Sequence, residues 1–247
     1  MDDRQMRHFT KMKKDDFVIG VLGGMGTYAT IHLFRQYAEL FPAEKEWDRP
    51  RIIIDNRCTM PSRVLAFLRG IKKEELIEQM SDSMRRLVEA GSSRIILACN
   101  TSHLFLPAIY ERVPEAEEKV IHIIHACVDR IKADGCRRVF LLGSEGTIDS
   151  HIYQEALQAE GIECLVPAPE EYADLRECIE AVKQNKYTEE ARKLFLGLVN
   201  RYDACILGCT ELPILYEKYA DQVTCGRIYD PLFAALEKLK AEYDAAD

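Results

Sequence analysis

Short apolar, β-branched runs alternate with longer amphipathic stretches along almost the whole chain. The runs FVIGVLGG (17–24), RIIIDN (51–56), RIILACN (94–100), VIHII (120–124), RRVFLLGS (137–144), ECLVP (163–167) and ACILGC (204–209) predict buried strands. Between them, apolar positions recur at helical spacing over Tyr28–Phe41, Lys73–Glu89, Ala126–Ala133, His151–Glu160 and Thr188–Asn200. Gly91, Gly135 and Gly161 stand just past three of these stretches, where a glycine closes a helix in the left-handed conformation. A last helix is expected from Pro231 to the C-terminus. Strand-helix-strand repetition of this kind predicts an α/β fold with mainly parallel sheets, because parallel neighbours need crossover connections.

The chain also echoes itself. VLGGMGT at Val21–Thr27 resembles LLGSEGT at Leu141–Thr147, and IILACNT around Cys99 resembles CILGCTE around Cys209. The offsets are 120 and 110 residues, close enough to predict two pseudo-symmetric α/β halves from a diverged duplication. The polar stretch VPEAEEK (113–119) marks the crossing. The first domain is therefore drawn over residues 16–115, with 228–247 returning to pack on it, and the second over 116–227.

Composition narrows the setting. The 247 residues are 47% hydrophobic and 30% charged, with no apolar run long enough to span a bilayer, so a soluble protein with no membrane partner is expected. The N-terminal stretch MDDRQMRHFTKMKKDD carries charges where a signal peptide would be apolar; it reads as a polar, mobile leader of a cytoplasmic protein. A net charge of −8 argues against nucleic-acid binding, and the short run Lys11, Lys13, Lys14 is too small to reverse it. Nine scattered cysteines without a C-x-x-C pair point to reduced thiols rather than a disulfide framework or a zinc site. His32, His122, His125 and His151 lack ligand spacing, so no metal is expected.

Ligands of open α/β sheets bind beyond the carboxyl ends of the strands. Gly23–Thr27, Asn56, Cys99–Thr101, Gly143–Thr147 and Cys209–Glu211 fall there, and they converge if the two halves face one another across a central cleft. Such a cleft presents one cysteine from each half to a small molecule. Two like groups on opposite sides suit inversion of a stereocentre: one thiolate takes a proton from one face and one thiol returns a proton to the other. Free cysteine titrates near ~8.5, so poising one sulfur at neutral pH takes roughly 2 kcal/mol. A helix N-terminus contributes ~0.3 to 1 kcal/mol of that. A second donor is therefore expected, and Thr101, Thr210 or adjacent backbone N–H groups are the nearest in sequence. The same turns, with Asn100, Thr101 and Thr210, are suited to hold a carboxylate. A second, distal carboxylate calls for a cation, and Arg63 or Lys183 is available.

Other readings of these residues exist. Cys58, Cys127, Cys136, Cys164, Cys178, Cys205 and Cys225 read as ordinary small buried residues. His103 is suited equally to moving a proton and to satisfying polar groups at the next helix, and Glu211 to anchoring its loop. Gly24-x-Gly26-x-x-Ala29 followed by Asp55 is a form of the dinucleotide fingerprint, but Asp55 comes late and the cysteine echo is left unexplained. A noncatalytic small-acid sensor could use the same cleft.

GVLGGMGTYAT, ACNTSH and LGCTELP together resemble the three signature segments of the aspartate/glutamate racemase family, in order and over Ile19–Pro213. The resemblance implies two α/β domains, a central cleft, paired cysteines, no pyridoxal phosphate or other cofactor, an amino-acid substrate and a homodimer. Carried over by position, Cys99 and Cys209 are the catalytic pair; Met25, Asn100, Thr101 and Thr210 lie at the substrate, as do Asn56 and Thr147 at their strand ends. MPSR aligns with the family's I-P-D-R, making Arg63 the expected binder of a distal carboxylate, with Lys183 placed similarly. Thr27, the Arg57-Cys58 pair and Ser62 depart from the family's Pro, Asn-Pro and Asp. Those departures leave the choice among aspartate, glutamate and other amino acids open. Glutamate racemase, hydantoin racemase and maleate isomerase share the general layout, so a related small acid or hydantoin is the alternative substrate.

Overall fold

A computed structural model describes residues 13–246; most of the polar leader, Lys11 included, lies outside the described residues. The first half runs β1 (Val18–Gly23), α1 (Thr27–Leu40), β2 (Arg51–Asn56), α2 (Arg63–Arg69), α3 (Lys73–Glu89), β3 (Arg94–Leu97), α4 (Leu106–Tyr110) and α5 (Ile123–Ala133). The second runs β4 (Arg138–Gly143), α6 (Glu145–Asp149), α7 (Ile152–Ala159), β5 (Glu163–Leu165), α8 (Tyr172–Lys183), α9 (Glu189–Val199), β6 (Ala204–Gly208), α10 (Leu212–Lys218), β7 (Arg227–Tyr229) and α11 (Pro231–Asp244). All named strands pair in parallel, in the orders β2-β1-β3 and β5-β4-β6-β7.

The two orders are one pattern. β1 and β4 are central, β2 and β5 lie on one side, β3 and β6 on the other. The predicted strand VIHII is corrected here: Val120 alone makes a parallel bridge to Ile95, and helix α5 begins at Ile123. The reason is visible at His122, which caps α5 by accepting from the His125 N–H at 3.5 Å. Val120 thus stands where β7 stands in the second sheet, and it extends the first sheet although it falls beyond the boundary drawn at residue 115. Each of these outer segments then feeds a helix, α5 after a cap at His122 and α11 after a cap at Asp230, and the two helices pack on each other.

Burial explains the remaining placement. α3 turns Leu76, Ile77, Met80, Met84 and Leu87 inward at helical spacing, and with β1 and β3 they form a compact cluster that includes Met25 and Cys99. A larger core runs without a break from β1 and α1 through α5 and α11 to β4 and β6. α11 packs against both α1 and α5, with Tyr243 edge-on to Phe17 and Phe41 and Arg94 paired with Glu242 at 2.6 Å. The three glycines expected to end helices have φ values of 86° (Gly91), 66° (Gly135) and 68° (Gly161). Among the described residues, no helix is long and apolar enough to cross a membrane.

Candidate active site

Within each sheet, the strands that carry site loops end at the same edge. Leu22 pairs with Leu97 and Gly143 with Gly208, so the loop after β1 neighbours the turn after β3, and the loop after β4 neighbours the turn after β6. The two edges face each other and enclose a cavity of about 70 Å³. Cys99, Asn100, Thr101, Met25 and Arg63 line it from one half, and Thr147, Lys183, Cys209, Thr210 and Glu211 from the other. A larger space of about 420 Å³ adjoins it, with Ser62, Val64, Ser144, Ile179 and Lys183 common to both.

The first cysteine turn is held from behind. The Cys99 carbonyl accepts from the Ser102 hydroxyl at 2.6 Å and from His103 Nδ1–H at 2.9 Å, which bends the chain into a short helical turn just after the thiol. His103 Nε2 accepts the Ile123 N–H at 3.4 Å, fixing the ring's tautomer and tying the turn to α5. Burial pushes its pKa down to about 4. His103 therefore supports the turn as a neutral ring, and its nitrogens are both engaged away from the sulfur. Asn100 is buried and its side-chain oxygen accepts from the Tyr153 hydroxyl at 2.6 Å, while its amide nitrogen has no partner in the protein.

The second turn is built differently. The Cys209 thiol donates to Glu211 Oε2 at 3.0 Å, and the Thr210 hydroxyl donates to the same oxygen at 3.3 Å. The crowded surroundings of the sulfur, and then the charge and hydrogen bond of Glu211, push the Cys209 thiol well above its ordinary range; Lys183 opposes this and Cys99 adds to it. The expected thiolate-stabilising donors are thus corrected. Thr210 is spent on Glu211, and Thr101 bonds across the cleft to Thr147 at 2.9 Å and Ser144 at 3.1 Å. Neither hydroxyl reaches a sulfur because each has a nearer oxygen.

Both expected cations border the cavity. Arg63 donates to the carbonyls of Met25 at 2.6 Å and Pro61 at 3.0 Å, while its buried Nε has no partner. Lys183 pairs with Glu180 at 3.0 Å; burial disfavours its charge, but Glu211, Cys209 and Glu180 outweigh that and raise its pKa. Asn56 is the exception among the expected residues. It is opposite Gly23 at the end of edge strand β2, yet its exposed amide turns to Cys58 at 3.1 Å and it lies outside the cavity lining. The sequence alone does not point to Val64, Ile179 or Tyr153, whereas Ser62 stands out as a departure from the family pattern and Ser144 falls within the Gly143–Thr147 loop. Ser144 had a signal, because it holds the echo position of Gly24.

The glycine loop after β1 is shaped for protein rather than for a dinucleotide. Gly24 has φ 81° and lies against the Arg57 backbone, and the space a Cβ on Gly26 would take is filled by Glu211 Oε1. A pyrophosphate at the start of α1 would meet that carboxylate. Among the described residues, no group of three or more histidine, cysteine or acidic side chains is arranged to hold a metal ion.

A fold of two parallel sheets meeting at a two-cysteine cavity defines a class, and comparison identifies it. The sequence profile described as Asp/Glu/Hydantoin racemase matches residues 22–239. The chain belongs to that family and is an amino-acid racemase, in agreement with its signature segments. It is 27% identical over 215 residues to the broad specificity amino-acid racemase RacX of Bacillus subtilis, covering 83% of this chain and 90% of the relative. It is 29% identical over 175 residues to the glutamate racemase of Aquifex aeolicus, covering 69% and 67%. Among solved structures, the aspartate racemase of Picrophilus torridus superposes with a TM-score of 0.78 at 25% identity, covering 93% of this chain and 98% of that one.

Proposed function

We propose that this protein racemises an acidic amino acid, aspartate or glutamate, without pyridoxal phosphate, by a two-base mechanism in which Cys99 and Cys209 act on opposite faces of Cα. The observation that carries this reading is that the two thiols, one from each half, line a single small cavity. One sulfur takes the Cα proton as the other delivers its own to the opposite face, and the roles exchange for the other enantiomer. Asn100, whose amide has no protein partner, and the hydroxyl cluster around Thr101 suit the α-carboxylate. The distal carboxylate falls to Arg63 and Lys183, the two cations on the lining.

Loss of racemisation in Cys99→Ala and in Cys209→Ala, each alone, tests the mechanism; full activity in either overturns it. A second substrate reading rests on the adjoining space of about 420 Å³, which gives room to longer neutral side chains and fits a relative named for broad specificity. The reading carries with it a cytoplasmic homodimer. Tyr28, Ile31 and Phe34, exposed along α1, offer such a pair an apolar contact face.

A further inference from the structure

The two cysteine turns are related by the internal symmetry, and each sends the residue two places after its cysteine across the cleft to the opposite glycine loop. Thr101 reaches Gly146, where a Cβ would come within 3.1 Å of its methyl group, and bonds to Ser144 and Thr147. Glu211 reaches Gly26, the equivalent of Gly146, and occupies the space of the missing Cβ. The backbone arrangement is symmetric; the chemistry at these two positions is not. Beside Cys209 stands a buried carboxylate accepting the thiol proton at 3.0 Å, with its other oxygen, Oε1, lacking any hydrogen-bond donor. At the equivalent place beside Cys99 stands a neutral hydroxyl whose bonds go elsewhere.

We infer that Glu211 is a positioning residue that keeps the proton of the resting pair on Cys209, so that Cys99 is the resting base and Cys209 the resting acid. This rests on the two-thiol reading above. A carboxylate accepts a hydrogen bond from a thiol and repels a thiolate, so it favours the protonated form. The other charged or titratable groups acting on Cys209 are Lys183, which favours the thiolate, and Cys99, whose own ionisation favours the Cys209 thiol. In the first half-reaction the Cys99 thiolate takes the Cα proton and the Cys209 thiol gives its proton to the opposite face. Cys99 ends as thiol and Cys209 as thiolate, and exchange with water restores the resting pair. Gly26 is part of the device, since a side chain there would displace the carboxylate.

The test is the rate of iodoacetamide alkylation of each cysteine in the substrate-free protein near pH 7.5, followed by peptide mass spectrometry, because iodoacetamide reports the thiolate. Cys209 is the more exposed of the two residues, so access alone would make it react first. The inference predicts the reverse, with Cys99 alkylated first. Glu211→Gln should speed alkylation of Cys209 by about tenfold or more, the size of one hydrogen bond to a charged group, without a matching change at Cys99. Gly26→Ala, whose φ of −137° suits alanine, should act in the same direction and serves if Glu211→Gln misfolds. Faster alkylation of Cys209 than of Cys99 in the unaltered protein, or an unchanged ratio in a folded variant, would overturn it. The measurement needs no turnover, so it can fail while the cysteine-to-alanine variants still support two-base catalysis.

Discussion

His103 and Cys99 are joined by a hydrogen bond of 2.9 Å from the ring Nδ1–H to the cysteine carbonyl, which makes a buried histidine part of the scaffold of the first cysteine turn. The ring stays neutral in the fold because burial lowers its pKa from 6.5 to about 4, and the same cause, aided by neighbouring histidines, lowers His122 to about 2. The unfolded chain therefore binds protons more readily than the folded one below pH 6.5. Stability should be unaffected by these groups at neutral pH and should fall as the pH drops from about 6.5 towards 4, by up to ~1.4 kcal/mol per pH unit for each histidine. Urea denaturation across that range checks this. His103→Ala should lessen the slope, while costing about 1 to 3 kcal/mol at neutral pH through the lost bonds.

Tyr153 orients Asn100. Its hydroxyl donates at 2.6 Å to the side-chain oxygen, and the buried amide nitrogen is left as a donor without a protein partner. Tyr153→Phe should raise KM several-fold, about 1 kcal/mol, and leave kcat closer to its original value. Steady-state kinetics on both enantiomers would check the split; a change confined to kcat would contradict the assignment of Asn100 to substrate binding.

Arg63 and Lys183 should separate acidic substrates from neutral ones. Arg63→Ala is expected to lower kcat/KM for aspartate and glutamate by tenfold or more, with much less effect on a neutral amino acid if one is turned over. Because Arg63 also holds the Met25 carbonyl, thermal unfolding of the variant belongs beside the kinetics. Equal losses on acidic and neutral substrates would assign Arg63 to the scaffold.

Cys136 provides the contrast to the cavity thiols. Its sulfur donates to the Arg138 carbonyl at 3.2 Å at the start of β4, the opposite end of the strand from the site. Cys136→Ala should retain racemisation at close to the original rate.

Much of this architecture is legible in the sequence because its signals are local. Arg51–Asn56 and Lys73–Glu89 form elements over the predicted bounds, and α1 and α9 differ from expectation by a residue at each end. VIHII misleads because β-branching favours a strand while His122 starts a helix; the one bridge at Val120 is what remains of the strand. The sequence pattern left α8 and α2 undrawn, α8 because charged residues interrupt the apolar positions of YADLRECIEAVK and α2 because it is a single short stretch. Ile179 is hidden with α8, and Lys183 stands out only as one of two cations available for a distal carboxylate. The cysteines are readable from their echo. Which oxygen each neighbouring hydroxyl chooses is not, since Thr101 finds Ser144 and Thr147 across the cleft while Thr210 turns to Glu211 beside it.

The central claim is proton exchange at Cα between two thiols, and its most direct test is NMR in D2O. Both enantiomers of aspartate, glutamate and a panel of neutral amino acids would be incubated with reduced protein and no added cofactor. The account predicts deuterium at Cα together with inversion for an acidic amino acid, lost in Cys99→Ala and in Cys209→Ala. Absence of exchange in every acidic substrate with folded, reduced protein, or inversion that survives loss of either cysteine, would contradict it.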